Sequence, residues 1–268
     1  MAERPGDAAT PGATPAQRLS FGWLLYFLLS VVFVGCVGSC VFLPCRLAPE
    51  GSPVRRFGER WAAYFTGLIL RIQPWLSLNV PAEEVQKLHS AVRSVPQHSG
   101  CLLIANHQSP LDIFLLLGLV PGLRTLAKSA LLRIPFLGTM MILTGQIPVT
   151  RGKLDAFWKA LEKVRIRLRA GDTVLIFPEM TRAAPGARQT LEFNIAPFLV
   201  ALQERAPVVP VVITGSGQAW PKGLSGVAPG TCIALQILPA LLPEQFDSAQ
   251  ALSDAARLQI DRALASAA

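Results

Sequence analysis

The sequence predicts an α/β fold, a mainly parallel sheet flanked by helices and preceded by N-terminal membrane helices. Three observations carry that prediction. From residue 100 onward, short apolar runs ending in polar turns alternate with helix-compatible stretches, as in strands joined by helical crossovers. Two of the runs, residues 101–105 and 174–177, end in turns rich in ionisable side chains. Ahead of them, the 27 residues of 19–45 contain no Asp, Glu, Lys or Arg, more than the roughly 20 needed to cross a bilayer.

Bulk properties agree. At 268 residues the chain has room for one large domain or two small ones, and a single domain behind a membrane segment accounts best for it. Hydrophobic residues make up 51% and charged residues 16%, apolar for a water-soluble protein. The net charge of +8 favours anionic partners. No basic tail or nucleic-acid motif accompanies it, so a membrane surface fits better than nucleic acid. The five cysteines form no CxxC pair and three lie in the apolar run, which argues against a disulfide framework or a zinc site. His89 and His98, in a polar connection, read as solvated.

Taken in order, residues 1–18 are rich in Ala, Pro, Gly and Thr and predict a disordered tail. A helix over 19–45 would be about 40 Å long against a hydrocarbon core of about 30 Å. Either it tilts with interfacial ends, or it breaks near Gly35 and Gly38 into a re-entrant hairpin. Trp23 and Tyr26 suit an interface at its start. Arg46, Arg55, Arg56 and Arg60 follow its end, which places the remainder on the cytoplasmic side. Residues 55–75 alternate basic and apolar positions, as in an amphipathic helix at the membrane surface or one packed on a sheet. A short helix over 81–88 follows, led by Glu83 and Glu84.

The core then opens with a strand at 101–105. Beyond it come a helix at 113–119, a strand at 123–127 ending in Lys128, a short helix at 135–143 and a strand at 146–149. Between Arg151 and Arg169, Leu154, Phe157, Trp158, Leu161, Val164 and Leu168 fall at helical spacing. The other face carries Lys159, Lys163 and Arg167, solvated or touching anionic headgroups. Gly171 stops that helix before a strand at 173–177. A helix at 191–205 and strands at 207–213 and 231–238 complete the pattern.

The chemistry sits at two strand ends. His107 occupies a strand-to-helix turn, where α/β sheets bind ligands, and the first helical turn can return Asp112 to its imidazole to fix the tautomer. Ser109 as N-cap, Pro110 at the first helical position and Asp112 in the first turn also read as a simple helix start. The second end, Phe177-Pro178-Glu179-Met180-Thr181-Arg182, offers a carboxylate, a hydroxyl and a guanidinium.

Together, Asn106-His107 with Asp112 beyond, Gly145-Gln146-Ile147-Pro148-Val149-Thr150-Arg151, Phe177-Pro178-Glu179 with Thr181-Arg182, and Val208-Val209-Pro210-Val211-Val212 resemble the glycerolipid acyltransferases of the 1-acylglycerol-3-phosphate (lysophosphatidic acid) type. The four blocks keep the family's order over about residues 100–215. Two departures stand out. Met180 replaces a usual glycine, and Phe193-Asn194-Ile195-Ala196 replaces a segment that commonly holds a basic residue and a glycine.

The resemblance implies a membrane-bound enzyme that moves a fatty acyl group from acyl-CoA or acyl carrier protein to a lysophospholipid hydroxyl, giving phosphatidic acid. It needs no cofactor beyond the donor. His107 would be the general base and Asp112 its orienting partner. Glu179, Thr181, Arg182, Arg151 and Lys128 would bind the acceptor. A Gly-x-Ser-x-Gly elbow is absent, so no acyl-enzyme is expected. The expected division is a tail at 1–18, a membrane-anchoring region at 19–75 and an acyltransferase domain at 76–268, on the cytoplasmic side of a bacterial inner membrane. An acceptor with another headgroup, such as a lyso-aminolipid, and a non-catalytic lipid-binding membrane protein are the alternatives.

Overall fold

The computed structural model of the chain describes residues 20–93, 100–134, 137–150, 152–222 and 226–267. The expected tail, His98 and Arg151 lie outside them. In order, the elements are α1 (Phe21–Arg46), α2 (Pro53–Arg71), β1 (Leu76–Asn79), α3 (Ala82–Arg93), β2 (Cys101–Ala105), α4 (Leu111–Leu119), β3 (Arg124–Lys128) and α5 (Leu137–Leu143). Then come β4 (Ile147–Val149), α6 (Leu154–Arg169), β5 (Thr173–Ile176), α7 (Ala196–Glu204), β6 (Val208–Thr214), α8 (Ser216–Ala219), β7 (Thr231–Ile237) and α9 (Ala249–Ser266).

The strands form one sheet in the order β1-β7-β6-β2-β5-β3-β4. All pairings are parallel except β6 with β7. The expected, mainly parallel sheet is therefore present, with one antiparallel join near an edge. Strand alternation divides the core between two faces. Cys101, Leu103 and Ala105 of β2 pack with α4, while Leu102 and Ile104 pack with α6, α7 and α9. All five are buried, each Leu or Ile contributing about 1.5–3 kcal/mol by leaving water.

β1 was not expected. Its four residues lie between Pro74 and Pro81, too short to display a period, and it is held by pairing with the distant β7. The helix expected at 191–205 begins only at Ala196. Leu191 instead donates its N–H to Glu179 Oε2 at 2.9 Å, and Asn194 Oδ1 accepts from Ala196 N at 2.9 Å. A backbone donor spent on a distant carboxylate leaves that stretch outside the helical ladder.

α1 is unbroken, so no hairpin forms at Gly35 and Gly38. Ser20 caps it by accepting from Trp23 N. Gly38 lies against Phe65 of α2, where an added Cβ would stand 3.4 Å from the ring. It serves packing between the two helices. α2 in turn packs on α4 through Gly67 and Gly118, where an added Cβ on Gly118 would fall 2.6 Å from Gly67 Cα.

α1 is the one helix among the described residues long and apolar enough to cross a membrane. Its buried stripe includes Leu24, Phe27, Val34 and Phe42, while Phe21, Leu25, Leu29, Phe33 and Leu43 are exposed. α2 packs mainly against α1 and α4 rather than on the sheet. It buries Ala62, Ala63, Ile69 and Leu70, and it exposes Phe57 and Tyr64 on either side of Trp61. An exposed aromatic row of this kind suits a membrane–water interface.

Candidate active site

Because β2, β5, β3 and β4 are parallel neighbours, the segments after them share one edge of the sheet. His107 follows β2, residues 179–182 follow β5, and exposed Lys128 ends β3. The register sets Leu103 beside Leu175 and Leu175 beside Thr125. The residues that follow β2 and β5 therefore leave the sheet side by side, with Lys128 at the end of the next strand. Asn106 closes the β2–β6 end as a backbone would. Its Nδ2 donates to Ile213 O and its Oδ1 accepts from Ile213 N, both at 2.8 Å.

His107 and Asp112 meet at 2.9 Å between Nδ1 and Oδ2. Asp112 Oδ2 also accepts from Gln108 N and Ser109 N at 2.9 Å, so the carboxylate itself closes the helix entrance. The expected Ser109 contact also forms, its Oγ accepting from Leu111 N at 3.3 Å. Pro110 holds the N-cap position without a side-chain cap, and Ser109 Oγ donates to Trp220 O at 3.2 Å. Asp112 is fully buried, whereas the His107 side chain keeps 14% exposure. A carboxylate can only accept, so Nδ1 carries the ring proton and Nε2 keeps its lone pair. Phe177 stacks on the imidazole at 4.1 Å and limits its rotation.

Glu179, expected to bind the acceptor, holds two backbone N–H groups. Oε1 accepts from His107 N at 2.8 Å, Oε2 accepts from Leu191 N, and the residue is 5% exposed. It braces the histidine turn against the loop ahead of α7. Burial pushes its carboxyl above the usual 4.5, against the opposing pull of those two N–H donors.

Met180 adopts φ 54 in the following turn. Glycine reaches that left-handed region without strain and a side chain does not, so the departure noted in the sequence has a backbone consequence. Thr181 and Arg182 come next, and Ala183 N donates to His107 O at 2.7 Å. The two motifs are thereby stitched together by backbone and carboxylate alike.

Sequence reading missed Lys222, whose Nζ reaches Thr181 Oγ1 at 3.0 Å and Arg182 O at 3.2 Å. It also passed over Asn106 and misread His89. The Nε2 of His89 lies 2.8 Å from Leu119 O, so this ring ties α3 to the end of α4. An asparagine directly after a central strand was a usable signal, but a lone lysine in a loop offers none. All five cysteines are free. Burial pushes the Cys101 thiol up to about 12, so it is no nucleophile near neutral pH. Among the described residues, no three His, Cys, Asp or Glu side chains converge as metal ligands would.

A parallel sheet with a histidine–carboxylate pair and a threonine–arginine turn on one edge defines an acyltransferase domain, and the acyltransferase family model matches residues 88–214. The 1-acyl-sn-glycerol-3-phosphate acyltransferase of Saccharomyces cerevisiae is 37% identical over 84% of this chain and 72% of its own length. The chloroplastic 1-acyl-sn-glycerol-3-phosphate acyltransferase BAT2 of Brassica napus is 27% identical over 82% of this chain. There the match spans 62% of the relative, under two thirds of its length. In three dimensions, the crystal structure of the 1-acyl-sn-glycerophosphate (LPA) acyltransferase PlsC from Thermotoga maritima superposes with a TM-score of 0.74 at 25% identity. That superposition covers 91% of this chain and 94% of the other. The chain belongs to the 1-acyl-sn-glycerol-3-phosphate acyltransferase family.

Proposed function

We propose that the protein transfers a fatty acyl group from a thioester, acyl-CoA or acyl carrier protein, to the free hydroxyl of 1-acylglycerol-3-phosphate, releasing the thiol and forming phosphatidic acid. The observation that carries this reading is the 2.9 Å His107–Asp112 contact, which leaves Nε2 as a base beside the threonine–arginine turn. Nε2 takes the hydroxyl proton as the oxygen bonds the thioester carbonyl carbon. The C–S bond then breaks and the imidazolium returns the proton to the departing sulfur. Asp112 holds the ring and offsets the charge it gains. Thr181 and Arg182 bind the acceptor phosphate, with Lys128 adding positive charge from the end of β3 and Arg151 assigned to it by the family resemblance alone.

The exposed apolar side of α1 and the aromatic row of α2 support attachment to a membrane, where both lipid substrate and product reside. The basic residues after α1 support a cytoplasmic placement of the catalytic domain. The test is acyl transfer by the purified full chain in detergent. Lysophosphatidic acid, a neutral lyso-lipid and a lyso-aminolipid are each offered with acyl-CoA or acyl carrier protein. Phosphatidic acid as the preferred product supports the assignment. Preference for an acceptor without a phosphomonoester, or no product with any pair, contradicts it.

A further inference from the structure

We propose that Lys222 is a specificity-determining residue that binds the acceptor's phosphate together with Thr181 and Arg182; this rests on the acceptor reading above. Lys222 lies beyond residue 214, where the family model ends. It is exposed, and its ammonium donates to Thr181 Oγ1 and to Arg182 O. An ammonium has three donors, and these contacts use two. The Thr181 hydroxyl, already accepting from Nζ, has its own proton left to give. One N–H of Lys222 and the O–H of Thr181 therefore remain to be given at the turn that also carries Arg182. That set matches a phosphate, whose oxygens only accept and bind charged donors most strongly.

The surrounding contacts place this cluster between the base and the lipid. The segment from α8 to Lys222 lies against the histidine turn. Ser109 Oγ donates to Trp220 O, and a Cβ added to Gly217 would stand 2.7 Å from Gln108 Oε1. The same segment is tied to the start of α1. Phe27 meets Trp220 edge-on at 5.4 Å, and Ser20 N donates to Val227 O at 2.8 Å. A phosphate held at Lys222 thus leaves its glycerol near His107 and its acyl chain toward the start of α1. Lys222 was invisible to motif reading because it is recruited by folding.

The experiment compares Lys222→Ala, Lys222→Gln and Lys222→Arg with the wild-type full chain in detergent, measuring kcat and KM for lysophosphatidic acid and for the acyl donor. Removing a charged hydrogen bond to the phosphate predicts an acceptor KM raised about tenfold in the Ala and Gln variants. Their kcat should stay within a few-fold, the donor KM should be unchanged, and Lys222→Arg should recover most of the loss. Wild-type values in Lys222→Ala overturn the proposal. So does a fall in kcat with a shifted donor KM that arginine does not rescue, since that marks a lysine that only cross-links two loops. Wild-type enzyme that makes no phosphatidic acid overturns the acceptor reading and this proposal together. Wild-type enzyme that makes it, while Lys222→Ala retains its acceptor KM, overturns this proposal alone.

Discussion

At the carboxyl end of β2, Asp112 is fully buried, and at the amino end of β3, Arg124 is 4% exposed; the two sites differ in what their partners leave over. Every nitrogen of the Arg124 guanidinium has a partner. Its Nη2 meets Glu59 Oε1 at 3.0 Å, its Nε meets Asp172 Oδ2 at 3.5 Å, and its Nη1 donates to Thr144 O. Arg167 extends the network to Asp172 and Glu50, both at 3.4 Å, so the α1–α2 region is joined to the sheet by charge. At the other edge, Asp112 Oδ1 is enclosed with no hydrogen-bond partner among the described residues, and His107 keeps an uncommitted nitrogen. Burying charge costs free energy in both places. Complete pairing makes a scaffold, whereas an atom left over is available for chemistry.

Substitutions can break that contrast. The largest expected effect is at Arg124→Ala, which takes the donor from Thr144 O and leaves Glu59 and Asp172 only their contacts with Arg55 at 3.7 Å and Arg167 at 3.4 Å. Unfolding free energy should fall by about 3–5 kcal/mol, read by denaturant titration, while kcat per folded molecule stays near wild type. A large loss of kcat with intact stability would erase the proposed division of labour. Asp112→Asn is the converse case. Losing the charge that supports the imidazolium should lower kcat about 10²-fold, or about 2.7 kcal/mol, with the acceptor KM little changed.

Glu179→Gln sharpens the boundary between the two regions, because this buried carboxylate is a brace inside the active site. An amide cannot accept from both His107 N and Leu191 N, so stability at pH 7 should fall by about 1–2 kcal/mol. Burial raises the folded-state carboxyl above 4.5, so the folded chain holds this proton more tightly than the unfolded one. Its contribution is therefore most favourable below 4.5 and declines as pH rises through the raised value. The variant should lack that part of the slope in a stability-versus-pH series. Met180→Gly is the smallest change. Relief at φ 54 is offset by glycine's freedom in the unfolded chain and by lost side-chain contacts, so stability should remain within about 1 kcal/mol of wild type by calorimetry. A loss of several kcal/mol would mean that the methionine is a packing residue.

Much of this was legible because it is local. The apolar run of β2, the turn carrying His107 and the turn ending in Arg182 each lie within about ten residues, where period and turn chemistry speak directly. The parts that were not legible depend on distant partners. β1 exists through β7, and nothing local marks Arg124 as part of a buried network until Glu59 and Asp172 close on it. Asp261 of α9 accepts from Thr190 N at 2.7 Å and steadies the loop that Glu179 also holds, 71 residues away in sequence. Glu179 was placed on the correct strand end, but its partners His107 N and Leu191 N were not legible, because sequence cannot tell which backbone donors will converge on a carboxylate.

The central claim is that His107 is the base and that the surrounding scaffold stands without it. The most direct measurement is acyl transfer to lysophosphatidic acid per folded molecule by His107→Ala, alongside its unfolding free energy. The account predicts turnover reduced about 10²- to 10⁴-fold with stability close to wild type. Wild-type turnover in His107→Ala would contradict it.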